Sequence, residues 1–96
     1  MNKQILKIEH YLKENGFKKC INSWVSKDVD VKIRKNKLKT TIEIKYIVHP
    51  KVDSVVTLFL TEKFTIWKEY DLDKDYYNIF INALNDINEK IKLLSQ

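Results

Sequence analysis

One glycine, one proline, one cysteine and two histidines among 96 residues remove many chemistries before any pattern is read. Loops that cradle phosphate, and the strained turn beneath a catalytic serine, need glycines at fixed offsets, because glycine tolerates φ > 0 and close backbone approach to a ligand. With Gly16 alone, neither device fits. A lone Cys20 has no intrachain disulfide partner, which agrees with a reducing compartment. No apolar run approaches the ~20 residues that cross a bilayer. The longest, Val55 to Leu60, includes Thr57 and has the length of a strand. Near the start, Ile5, Leu6 and Ile8 are interrupted by Lys7 and followed by Glu9, which breaks the apolar region of a signal peptide. The expected location is the cytoplasm, with no membrane association.

Metal and nucleophile chemistry are equally thin. Zinc sites need ligands at short paired spacings, and His10, Cys20 and His49 provide none. Asp71, Asp73 and Asp75 alternate as in a calcium loop. Counted from Asp71, however, the sixth and twelfth positions are Tyr76 and Asn82, where that loop needs glycine and a bidentate glutamate. Helix capping accounts for these acids, with Asp73 as N-cap and Asp75 in the first turn against the positive end of the helix dipole. A nucleophilic pair of Cys20 with a histidine rests only on the presence of one of each. No catalytic residue, metal ligand or cofactor is assigned, and the chain is not expected to be an enzyme.

What is present suits one α+β domain spanning residues 1–96. The composition is 44% hydrophobic and 32% charged, ordinary for a globular protein. The net charge of +5 is unevenly placed: Phe17 to Lys51 carries ten basic residues against three acids, whereas Val52 to Gln96 carries five lysines against eight acids. A basic middle and an acidic end follow. Of the 18 basic side chains only Arg34 is arginine, and lysine, isoleucine and asparagine are all abundant, as an AT-rich coding sequence produces.

Ile5, Ile8 and Leu12 recur at helical spacing over Asn2 to Asn15, and Gly16 stands where a left-handed cap would end the helix, with Phe17 folding back on the last turn. The period then changes to two. Val29, Val31 and Ile33 alternate with polar residues, as do Leu38, Thr40, Ile42, Ile44, Tyr46 and Val48, giving two half-buried strands of a hairpin. Inward residues are odd in the first strand and even in the second, so paired numbers sum to an odd value and the loop has even length, with Asn36 suited to φ > 0 within it. An earlier strand, Cys20 to Ser26, is expected to place Ile21 and Val25 inward and Trp24 outward. His49-Pro50 ends the long strand. Val55 to Leu60 follows as a strand apolar on both faces, and Phe64 to Trp67 as another after a Thr61-Glu62-Lys63 connection. Tyr76, Phe80, Ala83, Leu84, Ile87, Ile91 and Leu94 form the apolar stripe of a helix over Asp73 to Leu94.

The segment Ile5 to Lys19 resembles the opening of HicA-type messenger-RNA interferases, through Leu12, Gly16, Phe17 and Lys18. That resemblance implies ribonuclease activity carried by a histidine that follows a glycine shortly downstream. Here the corresponding region reads Asn22-Ser23-Trp24, with neither residue.

The expected architecture is two-layer α+β: an N-terminal helix, an antiparallel meander of four or five strands, and a long C-terminal helix, with both helices on one sheet face. The other face then collects Trp24, Lys32, Arg34, Lys39, Lys45 and Ile47 as a candidate binding surface. Such a face reads as simple solvated surface, as a dock for an acidic protein patch anchored by Trp24 and Arg34, or as a nucleic-acid platform. Lysine in place of arginine counts against base-specific contact. The favoured expectation is a protein-binding module, such as a small stoichiometric inhibitor or immunity-type protein of bacterial or phage origin, with nucleic-acid binding as the alternative. Surplus apolar surface at Val55 to Leu60, Tyr77, Ile79 and Ile81 adds the expectation of a homodimer.

Overall fold

The computed structural model describes residues 3–49, 58–67 and 75–94. Its elements are α1 (Lys3–Glu14), β1 (Lys18–Lys19), β2 (Trp24–Ser26), β3 (Val29–Lys35), β4 (Lys39–Val48), β5 (Leu58–Trp67) and α2 (Tyr76–Leu94). The five strands form one antiparallel sheet in sequential order, β1-β2-β3-β4-β5. A meander follows from connections too short for any parallel crossover at the hairpins.

Both helices lie on one face of this sheet. Ile5, Ile8 and Leu12 of α1 and Tyr76, Phe80, Leu84 and Ile87 of α2 share a single core with Val29, Val31, Ile42, Ile44, Tyr46, Val48 and Ile66. The helix ends follow from local chemistry. Gly16 takes φ 83°, and the Phe17 N–H donates to the Leu12 carbonyl at 2.9 Å, the long bond of a Schellman cap. At the start of α2 the Asp75 carboxylate accepts the Asn78 backbone N–H at 3.0 Å. Asp75, not Asp73, is therefore the N-cap of the observed helix, three residues before the N–H that it satisfies. Asp73 lies outside the described residues, as do Pro50 and Val55 to Thr57.

The central hairpin has the expected parity, with Val29 opposite Tyr46 and Ile33 opposite Ile42. Its turn differs in detail. Asn36 keeps a negative φ and uses its side chain, whose Oδ1 accepts the Leu38 and Lys39 backbone N–H groups at 2.9 and 2.8 Å. An asparagine that hydrogen-bonds the backbone two residues on tightens a turn without a left-handed residue. Leu38 sits in that turn, 63% exposed, and not on the inward face.

Two registers depart from the expectation. Cys20 to Ser23 form a turn, closed by a Cys20 N–H donating to the Ser23 carbonyl at 2.7 Å, so the strand begins only at Trp24. Ser26 pairs with Val29 across the two-residue turn Lys27-Asp28, and this register sets Trp24 opposite Val31, on the core face. Trp24 is 9% exposed, Ile21 is 95% exposed in the turn, and Val25 points to the outer side opposite Asp30. In β5, Thr61-Glu62-Lys63 is no connection. It lies within one unbroken strand, from Leu58 opposite Val48 to Trp67 opposite Lys39.

Candidate binding face

The face of the sheet opposite the helices is built by alternation. Cross-strand partners share a face, so the registers lay out its rows from one end to the other. Trp67 stands beside Lys39; Thr65 beside Thr41 and Arg34; Lys63 beside Glu43 and Lys32; Thr61 beside Lys45, Asp30 and Val25; Phe59 beside Ile47. Five of the six residues expected on this surface are on it: Lys32, Arg34, Lys39, Lys45 and Ile47. Trp24 is not. It is buried on the opposite side, its ring covered by the Lys19 ammonium 5.1 Å from the centroid.

The aromatic residue of the basic face is Trp67. Its indole is 42% exposed, and the Lys39 Nζ lies 5.2 Å from its ring centroid, within cation–π range. At the other end Phe59 is 75% exposed. Below it an open groove of about 310 Å³ is lined by Val25, Ile47 and Phe59 together with Asp30, Lys45 and Thr61. Trp67, Phe59 and Lys63 escape the sequence reading of this face, because Val55 to Leu60 and Phe64 to Trp67 read there as two strands joined by Thr61-Glu62-Lys63. The missed signal is alternation carried through that acid, with Leu60, Phe64 and Ile66 inward and Phe59, Thr61, Lys63, Thr65 and Trp67 outward. Glu62 is accommodated on the inward side at the sheet edge by the Lys90 ammonium of α2 at 3.1 Å.

The charge on this face is mixed in its middle. Glu43 is largely buried and paired with Lys45 at 3.5 Å, and the Asp30 Oδ1 is buried without a hydrogen-bond partner among the described residues. Around these two acids stand Lys32, Arg34, Lys39, Lys45 and Lys63. The arrangement offers positive charge at its margins, apolar or aromatic contact at both ends, and partial neutralisation at the centre.

The remaining candidates for chemistry are dispersed. His10 pairs with Glu14 at 3.0 Å on α1, His49 with Asp28 at 3.3 Å, and Cys20 is exposed in the turn after β1. Among the described residues no cluster of three metal-ligating side chains occurs, and no described helix is long and apolar enough to cross a membrane. Comparison with family models, with curated proteins and with solved structures finds no match to this chain.

Proposed function

We propose that the chain is a non-enzymatic protein-binding module that docks on an acidic protein surface through the open face of its sheet, in the manner of a small stoichiometric inhibitor or immunity-type protein. The observation that carries this reading is the make-up of that face: Trp67 with Lys39 at one end, Phe59 and Ile47 at the other, and cations around two embedded acids between them. Tryptophan and arginine are the residue types that most often anchor protein interfaces, and complementary charge raises association rate and selects partners. A nucleic-acid platform would instead favour an unbroken cationic track with stacking rings spaced for successive bases. Glu43 and Asp30 interrupt such a track.

The test is affinity capture from the native host with wild-type protein, nuclease-treated throughout, repeated with Trp67→Ala and Arg34→Ala. A single acidic protein retained by the wild type and lost with either variant is the expected result. Titration of single-stranded and duplex oligonucleotides at ~50 mM salt provides the opposing arm, since a phosphate-neutralising face binds readily there with a steep salt slope. Tight binding of that kind would replace the protein-docking reading.

A further inference from the structure

The free half of β3 presents an unpaired backbone edge inside a cationic setting. β2 starts only at Trp24, opposite Val31, and the chain before it turns away through Cys20 to Ser23. β3 continues to Lys35. The Asp28 carbonyl accepts the Ile47 N–H, and the Asn36 N–H donates to the Lys39 carbonyl, both across the β3–β4 hairpin. Hydrogen-bonding direction alternates along a strand, so even-numbered positions of β3 face β4 and odd-numbered ones face away. Ile33 and Lys35 therefore aim their N–H and C=O groups at the open side, where no described strand pairs with them.

Beside this edge lies a notch of about 330 Å³ lined by Lys19, Ile21, Asn22, Lys32, Ile33 and Arg34. No acid lines it. Among the described residues, neither Lys32 nor Arg34 has a carboxylate within ion-pair distance. Native sheets guard free edges with charge, so this edge repels other cationic edges, a second copy of itself included, and admits a strand of opposite sign.

We propose that the free half of β3 receives an extended acidic segment of a partner protein, added to the sheet as a further strand. Strand addition draws affinity from main-chain hydrogen bonds and specificity from alternate side chains. Two acidic side chains at alternate positions of the segment stand beside Lys32 and Arg34 on the outer face. The residue between them lies on the opposite side, against Ile33 and the exposed Ile21, and is apolar. This inference rests on the protein-binding reading and places part of the partner at the edge of the sheet opposite β5 and Trp67.

The test uses a blocked synthetic peptide, Thr-Glu-Val-Glu-Val-Glu-Thr, and a control with lysine at each glutamate, added to isotopically labelled protein at millimolar concentration. The expected result is slowed amide exchange at Ile33 and Lys35 with resonance shifts at Asn22 and Arg34. The lysine peptide is expected to leave these signals unmoved, and Arg34→Glu, an exposed substitution, to weaken the glutamate peptide by about tenfold or more. Unchanged exchange at Ile33 and Lys35 overturns the proposal, as does equal binding by the Arg34→Glu protein. Shifts confined to Trp67 and Lys39 overturn edge pairing while leaving docking on the open face intact.

Discussion

Trp24 lies on the core face where strand alternation alone sets it outward, Trp67 is the tryptophan of the open face, and replacement of each by alanine tests that arrangement. Trp24 is buried between Lys19 and Val31 in the sheet register. Truncating a core tryptophan typically costs about 3–5 kcal/mol. Its Nε1, however, is buried without a hydrogen-bond partner, a defect costing about 1–3 kcal/mol that the substitution removes. The expected net loss for Trp24→Ala is therefore centred on about 2 kcal/mol. With a urea dependence of about 1–3 kcal/mol per molar for a protein of this size, the unfolding midpoint falls by roughly 1 M or more. Trp67→Ala loses an exposed ring and a cation–π contact worth about 0.5–1 kcal/mol at the surface, so its midpoint stays within about 0.5 M of wild type. Fluorescence provides an independent check: the Trp67→Phe protein, which retains Trp24, should emit at shorter wavelength than Trp24→Phe. If Trp24→Ala unfolds with the wild type while Trp67→Ala is the destabilised variant, the β2–β3 and β4–β5 registers are wrong and so is the composition of the binding face.

Leu84 is fully enclosed between α2 and the sheet, so Leu84→Ala should cost about 2–5 kcal/mol through lost burial and a residual cavity; an unchanged urea midpoint would show that α2 does not pack there. The Lys90 ammonium is held above its ordinary 10.5 by its hydrogen bond to Glu62 and then by the charge of that carboxylate. A raised pKa of this kind stabilises the fold below the ordinary value and is lost as pH climbs through the raised one. Lys90→Met should therefore lower the urea midpoint at neutral pH, with the gap to wild type closing in strong alkali; a gap independent of pH would refute the pairing. Leu58 on β5 and Ile79 on α2 are exposed apolar side chains away from the docking face that a second copy would cover, so light scattering is expected to return a dimer mass. A monomer mass across a wide concentration range removes that expectation.

Both helices were legible because each carries its evidence within one or two turns. Gly16 and Phe17 close α1 within six residues of Leu12, and the α2 stripe repeats often enough that a misplaced N-cap changes nothing in the core. The β3–β4 hairpin was legible for a related reason: two alternating runs face each other across a short loop, and each fixes the parity of the other. Leu38 escaped because the alternation of β4 was extended into residues that the Asn36 side chain holds in the turn. Lys27 had no signal at all. It adopts φ 33° in a turn that has neither glycine nor asparagine to mark it.

The misplaced aromatic residue shows what limits the reading of a face. A one-residue change of register moves every side chain of a strand to the other side of the sheet, and a strand as short as β2, or an outer one such as β5 with a single neighbour, has little to correct it. In β2 the parity was set by joining Trp24 to a strand beginning at Cys20. The two-residue Lys27-Asp28 turn instead ties it to Val29 and puts Trp24 inward. In β5 the sequence reads Thr61-Glu62-Lys63 as a connection, whereas Glu62 pairs with Ile44 in the ladder and its inward carboxylate meets the Lys90 ammonium, 28 residues away in sequence. The cations Lys32, Arg34, Lys39 and Lys45 stand on the central pair of strands, where local alternation is enough to place them. The apolar anchors, Trp67 and Phe59, stand on an outer strand, where placement depends on a distant contact. The charge that β3 and β4 bring to this face is therefore a property of local pattern, and its aromatic anchors, with Lys63 beside them on β5, are a property of tertiary structure.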